Sequence, residues 1–573
     1  MNEVANIALP KCKADLRIGR SRLTATQYNT VRTVLSASLP FYVRGATPPR
    51  PDPGHPPSLI GGVIKRFGYE PPKPQPKLMR RFKRFVALWL RHRSGLKPLT
   101  AADILTFDEW LESTDYSMTR KVELLNLWTS RPNYIPTREE LSLVKSFIKD
   151  ETYPEFKYPR LINSRVDLAK CFFGPCVATI SEQLFRIPYF IKKIPVADRP
   201  EAIYRRLFHP GGSYMFTDYT AYEAHFTTVI MKACEYQLYK YMCSNLEMWP
   251  LLKNFLTEVL QGVNTLMFKY VTVRVVATRM SGEMNTSQDN GFSNLMILMF
   301  LLDINARDKH LVAEDQPAPR NLYQFDCFVE GDDGLVWCSH PDIYPTKEQY
   351  AELGFTIKIG ITDKLNEASF CGCVYDVEEG IIVTDIKEVL CRIGWTNKKY
   401  VLAKKNTCLQ LLRARSFSLC YQYNGCPVLS ALGRKLLELT EDVKVTQKCI
   451  DQMAWWDRMK YLEAVSQLPA QRFPSPDTRE LVERLFNVPI HLQVKWEQQF
   501  EAMTELRPVD LIGLDVDDTW TDYYARYSHS CYDTNPLWLL RDEKKYLQRL
   551  VEAAPQASVF VDSLGVKNWQ PKP

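Results

Sequence analysis

Two short apolar runs, Phe325-Asp326-Cys327-Phe328-Val329 and Leu335-Val336-Trp337-Cys338, flank the acidic stretch Glu330-Gly331-Asp332-Asp333-Gly334. Aromatic and β-branched residues on both sides of a Gly-Asp-Asp-Gly turn predict a β-hairpin with two carboxylates at its tip. Upstream, a short apolar run from residue 213 ends in Asp218 and gives way to a turn and then a helical pattern carrying Met231, Leu238 and Tyr239. Between the two, the Ser281-Gly282 turn precedes a helix in which Thr286 and Asn290, four residues apart, share one face. Residues 77–93 repeat Leu78, Phe82, Phe85, Leu88 and Trp89 at helical period. Residues 101–148 read as helical, with Thr106 or Asp108 as a cap. Strands alternate with helices from 211 to about 400, and helices dominate beyond, as in 403–419 and 478–486. The alternation over 211–400 predicts an α/β or α+β core.

At 573 residues the chain is too long for one compact core, so two to four domains or subdomains are expected. Prolines 48, 49, 51, 53, 56, 57, 71, 72, 74 and 76 exclude long helices from their clusters and predict an extended arm laid over the rest. The net charge of +7 is compatible with a polyanionic partner without requiring one. The outer face of the 77–93 helix is dense in cations; it is either a solvated face or a wall that touches RNA phosphates. Fifteen irregularly spaced cysteines set in apolar runs read as reduced core residues, not a disulfide framework or a zinc ribbon. Residues 1–10 lack the pattern of a signal peptide, and the longest apolar run, 295–302, is far short of a bilayer span.

The candidate chemistry starts with the paired acids. Asp332 and Asp333 repel each other at a hairpin tip unless a cation sits there, and Mg2+, which takes one or two carboxylates plus substrate phosphates, is the natural guest. An ordinary solvated Asp-Gly hairpin would look the same in isolation. Asp218, at a strand end, can face such a tip. Glu223, five residues on, falls near a helix start, where its charge also suits the helix dipole. Ser281, Thr286 and Asn290, beside a glycine that permits close backbone approach, suit recognition of a sugar hydroxyl; a capped amphipathic helix is the plain alternative.

Taken in order, Asp218-x4-Glu223, Ser281-Gly282-x3-Thr286-x3-Asn290 and Gly331-Asp332-Asp333 resemble motifs A, B and C of the RNA-dependent RNA polymerases of positive-strand RNA viruses, most closely those of the tombusvirus, nodavirus and flavivirus group. Further segments follow in family order. Lys149, Lys157, Arg160 and Arg165 resemble motif F, the basic strand over the incoming triphosphate. The stretch 354–364 resembles motif D, with Lys364 as first choice and Lys358 as alternative for the lysine that protonates pyrophosphate. Phe370 to Tyr375 resembles motif E, and alternation explains Cys371 and Cys373 there. Tyr116 to Lys121 is a weaker match to motif G. The chain departs from the pattern at Glu223, where the family usually has Asp. The extra methylene shifts the carboxylate by about one bond length but leaves it able to accept a bond from a ribose 2′-OH.

The resemblance implies template-directed nucleotidyl transfer with two Mg2+ ions, replaceable by Mn2+, held roughly 3.5–4 Å apart. Asp218 and Asp332 would hold both and Asp333 would assist. Nucleoside triphosphates are the implied substrates. Glu223, Ser281, Gly282, Thr286 and Asn290 would read the ribose, and single-stranded RNA template and nascent RNA are the implied partners. A right-hand fold closed by fingertips follows: a proline-rich arm (1–76) linking fingers and thumb, fingers (77–210 and 230–278), palm (211–229 and 279–400) and a mostly helical thumb (401–573). The expected setting is the host cytoplasm, on membrane-associated replication complexes reached through other viral replicase proteins. A reverse transcriptase shares the palm acids, but Gly331 stands where it usually has an aromatic residue. A non-catalytic RNA-binding scaffold would not need Asp218, Asp332 and Asp333 intact. Asp515, Asp517 and Asp518 form either a second acidic site or a solvated loop.

Overall fold

The computed structural model describes residues 13, 15–20, 36–44, 56–151, 158–268, 271–309, 323–400 and 402–514. Lys157, much of the proline-rich arm and the acidic stretch at 515–518 lie outside the described residues.

The centre is a four-stranded antiparallel sheet in the order Ile357–Thr362, Tyr214–Tyr219, Asp333–Cys338, Phe325–Glu330. Side chains alternate across it as a strand requires. Met215, Cys327, Val329, Val336 and Ile357 join one buried cluster, while Tyr214, Phe328, Leu335 and Trp337 join another on the opposite face. The first face is covered by the helix Thr286–Lys309, whose 295–302 run is buried all round. That run is therefore a core helix. A second helix, Pro76–His92, packs on the outside of the first through Phe82 and Phe85 against Phe300 (5.2 and 5.5 Å) and Trp89 against Phe292 (6.2 Å).

A five-stranded sheet runs in the order Arg17–Arg20, Val271–Val276, Val263–Met267, Leu143–Ile148, Leu161–Arg165. The Leu143–Ile148 strand corrects the helical expectation for 101–148. Val144, Ser146 and Ile148 are buried and Lys145 and Phe147 exposed, a period of two that outweighs the helical pattern upstream. The helix before it behaves as read: Thr106 caps Phe107–Ser113 by accepting from the Glu109 N–H (3.3 Å).

Beyond residue 400 helices dominate, including Lys405–Gln422, Leu429–Glu438 and Ile490–Glu501, around a separate core. The described parts of the N-terminal arm reach both regions. Arg17–Arg20 is an edge strand of the five-stranded sheet, whereas Ser36–Ser38 pairs with Trp395–Asn397, and Leu39, Phe41 and Val43 sink into the C-terminal helical core. No helix among the described residues is long and apolar enough to cross a membrane.

Candidate active site

The predicted hairpin is present, with Glu330 paired to Asp333 and only Gly331-Asp332 in the loop. Gly331 has φ +59°, a conformation that a residue with a Cβ adopts at a cost, so the turn requires its glycine. The register between neighbouring strands pairs Thr217 with Gly334; carried one residue further, it sets Asp218 beside Asp333 at the mouth of the sheet. Lys358 lies directly across from Asp218, its Nζ 4.0 Å from the carboxylate. Alternation places Asp218, Asp333 and Lys358 on the face away from the Thr286–Lys309 helix. Three charged groups from three strands thus share one surface.

Their electrostatics follow from that crowding. Burial, reinforced by the charges of Asp332, Asp218 and Glu330, pushes the Asp333 carboxyl up to about 7. Asp332 is also raised, first by burial and then by Glu223 and Asp218, with Arg160 acting against it. The tip is held from behind by Asn294, a buried residue of the long helix. Its Nδ2 donates to the carbonyls of Asp333 (3.0 Å) and Gly331 (3.3 Å), while its Oδ1 accepts from the Tyr219 hydroxyl (3.4 Å).

Glu223 sits on the short 3-10 turn Tyr222–His225, and its carboxylate meets Arg66 at 3.4 Å. Beside it, the partly buried Lys13 ammonium donates to the Ala224 carbonyl (2.8 Å) and the Thr278 hydroxyl (3.1 Å). Burial lowers the Lys13 amine to about 8. Asn290 lies nearby on the long helix, and its Oδ1 accepts from Arg279 Nε at 3.1 Å. Arg279 is wholly buried. It also ion-pairs with Glu235 and Asp289 and donates its backbone N–H to the Glu223 carbonyl (3.0 Å). Burial of two acids around one guanidinium raises the Glu235 carboxyl well above the ordinary range, and the two acids raise the guanidinium in turn.

Three expectations change. Gly282 does approach backbone closely, but the backbone is that of the Leu161–Arg165 strand. Its N–H donates to the Asn163 carbonyl (3.1 Å), and a Cβ would stand 3.0 Å from that oxygen. Thr286 spends its hydroxyl on the Met280 carbonyl (2.9 Å), tightening the Ser281-Gly282 turn. Arg165 is no phosphate ligand here. It is 1% exposed, paired with Glu283 and donating to Asn264 Oδ1 (2.6 Å) and the Leu141 carbonyl (3.2 Å), because alternation along its strand turns residue 165 inward.

Lys149 and Arg160 do meet at the open end of their two strands, where Lys149 N–H donates to the Arg160 carbonyl (2.9 Å) and Glu151 contacts both side chains (2.8 and 3.6 Å). They line a cavity of about 760 Å3 that continues to Trp395 and to Tyr423 and Trp456 of the C-terminal region. Lys364 lies beyond the far end of the Ile357–Thr362 strand from Asp218 and pairs with Glu367 at 3.4 Å, so the register favours Lys358 as the lysine nearest the acids. Arg120, in the stretch resembling motif G, is committed to Glu123 and Asp167. Cys371 is not a strand residue: it and Gly372, both at positive φ, form a two-residue turn between Ser369–Phe370 and Cys373–Asp376. Arg66, Arg279 and Asn294 were missed in the sequence. Arg279 sits two residues before and Asn294 four residues beyond the Ser281–Asn290 motif, but nothing local marks Arg66.

Among the described residues no three His, Cys, Asp or Glu side chains converge as a closed metal cage. The donor set fits a hard divalent ion nonetheless. Asp218, Asp332 and Asp333 offer only oxygen ligands at a site where mutual repulsion and burial oppose full ionisation, and Mg2+ commonly completes such a partial set with substrate phosphates. No curated protein matches the chain in sequence. The sequence model of the family described as viral RNA-dependent RNA polymerase matches residues 193–419, which enclose Asp218, Glu223, the Ser281–Asn290 motif, the Asp332-Asp333 tip and Lys358. The chain carries a viral RNA-dependent RNA polymerase domain and is an RNA-directed RNA polymerase, a nucleotidyltransferase.

Proposed function

We propose that the chain copies a positive-strand viral RNA genome, with Asp218, Asp332 and Asp333 holding two divalent cations, Mg2+ or Mn2+. The observation that carries this reading is the gathering of Asp218 and Asp333 on one sheet surface beside Asp332 at the hairpin tip, with raised proton affinity at Asp332 and Asp333. When bound, the ions supply charge stabilisation for the attacking and leaving oxygens of an in-line displacement. In the reaction the primer 3′-hydroxyl loses its proton to water and its oxygen forms a bond to the α-phosphorus, the bond from that phosphorus to the bridging oxygen breaks, and pyrophosphate leaves.

The protein's own groups do the rest. Lys149 and Arg160 face the cavity and neutralise the triphosphate, with Glu151 holding both side chains in place. Lys358, across from Asp218, delivers the proton that the departing pyrophosphate takes up. Glu223 accepts the hydrogen of the ribose 2′-OH, and Asn290 donates to its oxygen through Nδ2. A deoxynucleotide leaves both groups unsatisfied, which is where discrimination arises. Base choice is left to pairing with the template.

The same reading assigns the central sheet to a palm, the five-stranded sheet with its flanking helices to fingers and the C-terminal helices to a thumb. The N-terminal arm, with one strand in the five-stranded sheet and another segment in the C-terminal core, ties fingers to thumb. Other replicase proteins would bring the enzyme to its membrane-associated site of work.

Labelled-nucleotide incorporation on a short RNA template with Mg2+, run beside Asp332→Asn, tests the assignment. Template-dependent product that vanishes in Asp332→Asn while RNA retention persists is the expected result. Synthesis surviving in the variant would overturn the metal assignment.

A further inference from the structure

The helix Pro76–His92 buries most of one side and leaves the other as a ridge of positive charge. Met79, Phe82, Val86, Trp89 and Leu90 are buried, whereas Lys77, Arg80, Lys83, Arg84 and Arg91 are exposed. None of these five pairs with an acid among the described residues. Residues 71–102 hold nine Lys and Arg and no Asp or Glu. That stretch carries +9 where the whole chain carries +7, so everything else nets −2. A solvated helix face is ordinarily mixed in sign, with acids spaced to pair with the bases; here the acids are missing. At 17 residues the ridge is about 26 Å long. Two neighbouring helices packed against it, Thr228–Ala233 and Glu235–Cys243, add exposed Lys232 and Lys240.

We propose that this ridge binds the phosphate backbone of an RNA strand outside the catalytic cleft, independently of sequence. The ridge is remote from the carboxylates: the Pro76–His92 helix covers the outer side of Thr286–Lys309, whose inner side covers the face of the central sheet opposite Asp218 and Asp333. RNA held there is template or product before entry or after exit. Charge complementarity selects a polyanion, and the burial of most of the helix's apolar side, with Leu88 alone among its large apolar residues exposed, argues for RNA over a lipid surface. A helix that lies on a membrane inserts its apolar face, and this one has that face committed to Phe292 and Phe300.

The test uses the full chain with Arg80→Gln, Arg84→Gln and Arg91→Gln combined, all surface positions. Binding of a long single-stranded RNA is measured by anisotropy from 50 to 300 mM salt, beside nucleotide incorporation on a template short enough to fill only the cleft. Vesicles of neutral and of anionic phospholipid are run in parallel. Expected are affinity for long RNA about tenfold or more weaker at low salt, and a salt slope reduced by about 2, at roughly 0.7 per lost contact to a single strand. Short-template incorporation should be unchanged. An unchanged slope and affinity would overturn the proposal. So would loss of binding to anionic vesicles with RNA binding intact, which would assign the ridge to a membrane surface. Loss of short-template synthesis together with RNA binding would place the ridge within the catalytic path and overturn it equally.

Discussion

Arg279 donates from Nε to the side-chain oxygen of Asn290 at 3.1 Å. A guanidinium can only donate, so the contact fixes which end of the amide faces it, and Asn290 must present its NH2 outward as a donor. The same arginine anchors the Glu223 backbone through its own N–H. One buried residue thus orients both members of the proposed ribose check. Arg279→Lys keeps the charge but loses the planar set of donors. We expect it to lower the ribonucleotide over deoxynucleotide preference in kcat/KM about tenfold, in the same direction as Asn290→Ala. Equal preference in wild type and both variants, in direct competition, would remove the check from these residues.

The raised Asp333 carboxyl makes a stability prediction with a definite sign. Its pKa is about 7 in the fold against an ordinary value of 3.8. A folded state that binds the proton more tightly is destabilised as pH rises from the unfolded value through the folded one. Asp333→Asn should therefore stabilise the metal-free protein, by nothing near pH 4 and by up to ~4 kcal/mol at pH 8. The difference from wild type is the quantity to measure, because burial lowers the His225 imidazole to about 4 and so costs stability as pH falls below about 6.5. Thermal melts of both proteins with chelator at pH 5, 6.5 and 8 should show the gap widening with pH. A constant gap would mean that Asp333 is not electrostatically strained.

Arg165 and Glu283 form a buried ion pair, both nearly inaccessible. Arg165→Met alone leaves Glu283 buried without its partner and should cost about 3–5 kcal/mol. The double change Arg165→Met with Glu283→Met should recover most of that. The KM for nucleoside triphosphates should stay near wild type in the folded double variant. A KM rise there would return Arg165 to the phosphate site.

The two candidate lysines separate cleanly. Lys358→Ala should lower kcat about 100-fold, within the range for a lost general acid, while Lys364→Ala, paired with Glu367 beyond the strand's far end, should stay within about threefold. Single-turnover incorporation at saturating nucleotide reads this directly. The opposite ranking would mean that the strand's end moves toward the acids during turnover.

Much of this protein is legible from local pattern. The acidic hairpin, the strand ending at Asp218, the Ser281-Gly282 turn and the helix after it each follow from a periodicity or a turn chemistry contained within about a dozen residues. So does the cationic ridge, because a helix with one apolar side and no acids declares its two faces by spacing alone. The order of the motifs along the chain was likewise enough to point to the polymerase family.

The side-chain partnerships were not legible, because they join residues far apart in sequence. Arg165 reads as one more cation in a basic run until strand alternation turns it inward onto Glu283, 118 positions away. Arg66 meets Glu223 across 157 positions, and the choice between Lys358 and Lys364 rests on antiparallel register with a strand some 140 residues earlier. Local spacing decides which face of an element is apolar, since that depends only on helix and strand geometry. Which charges are solvated, paired or available to a substrate depends on what packs against that face, and only the assembled sheets and helices decide it.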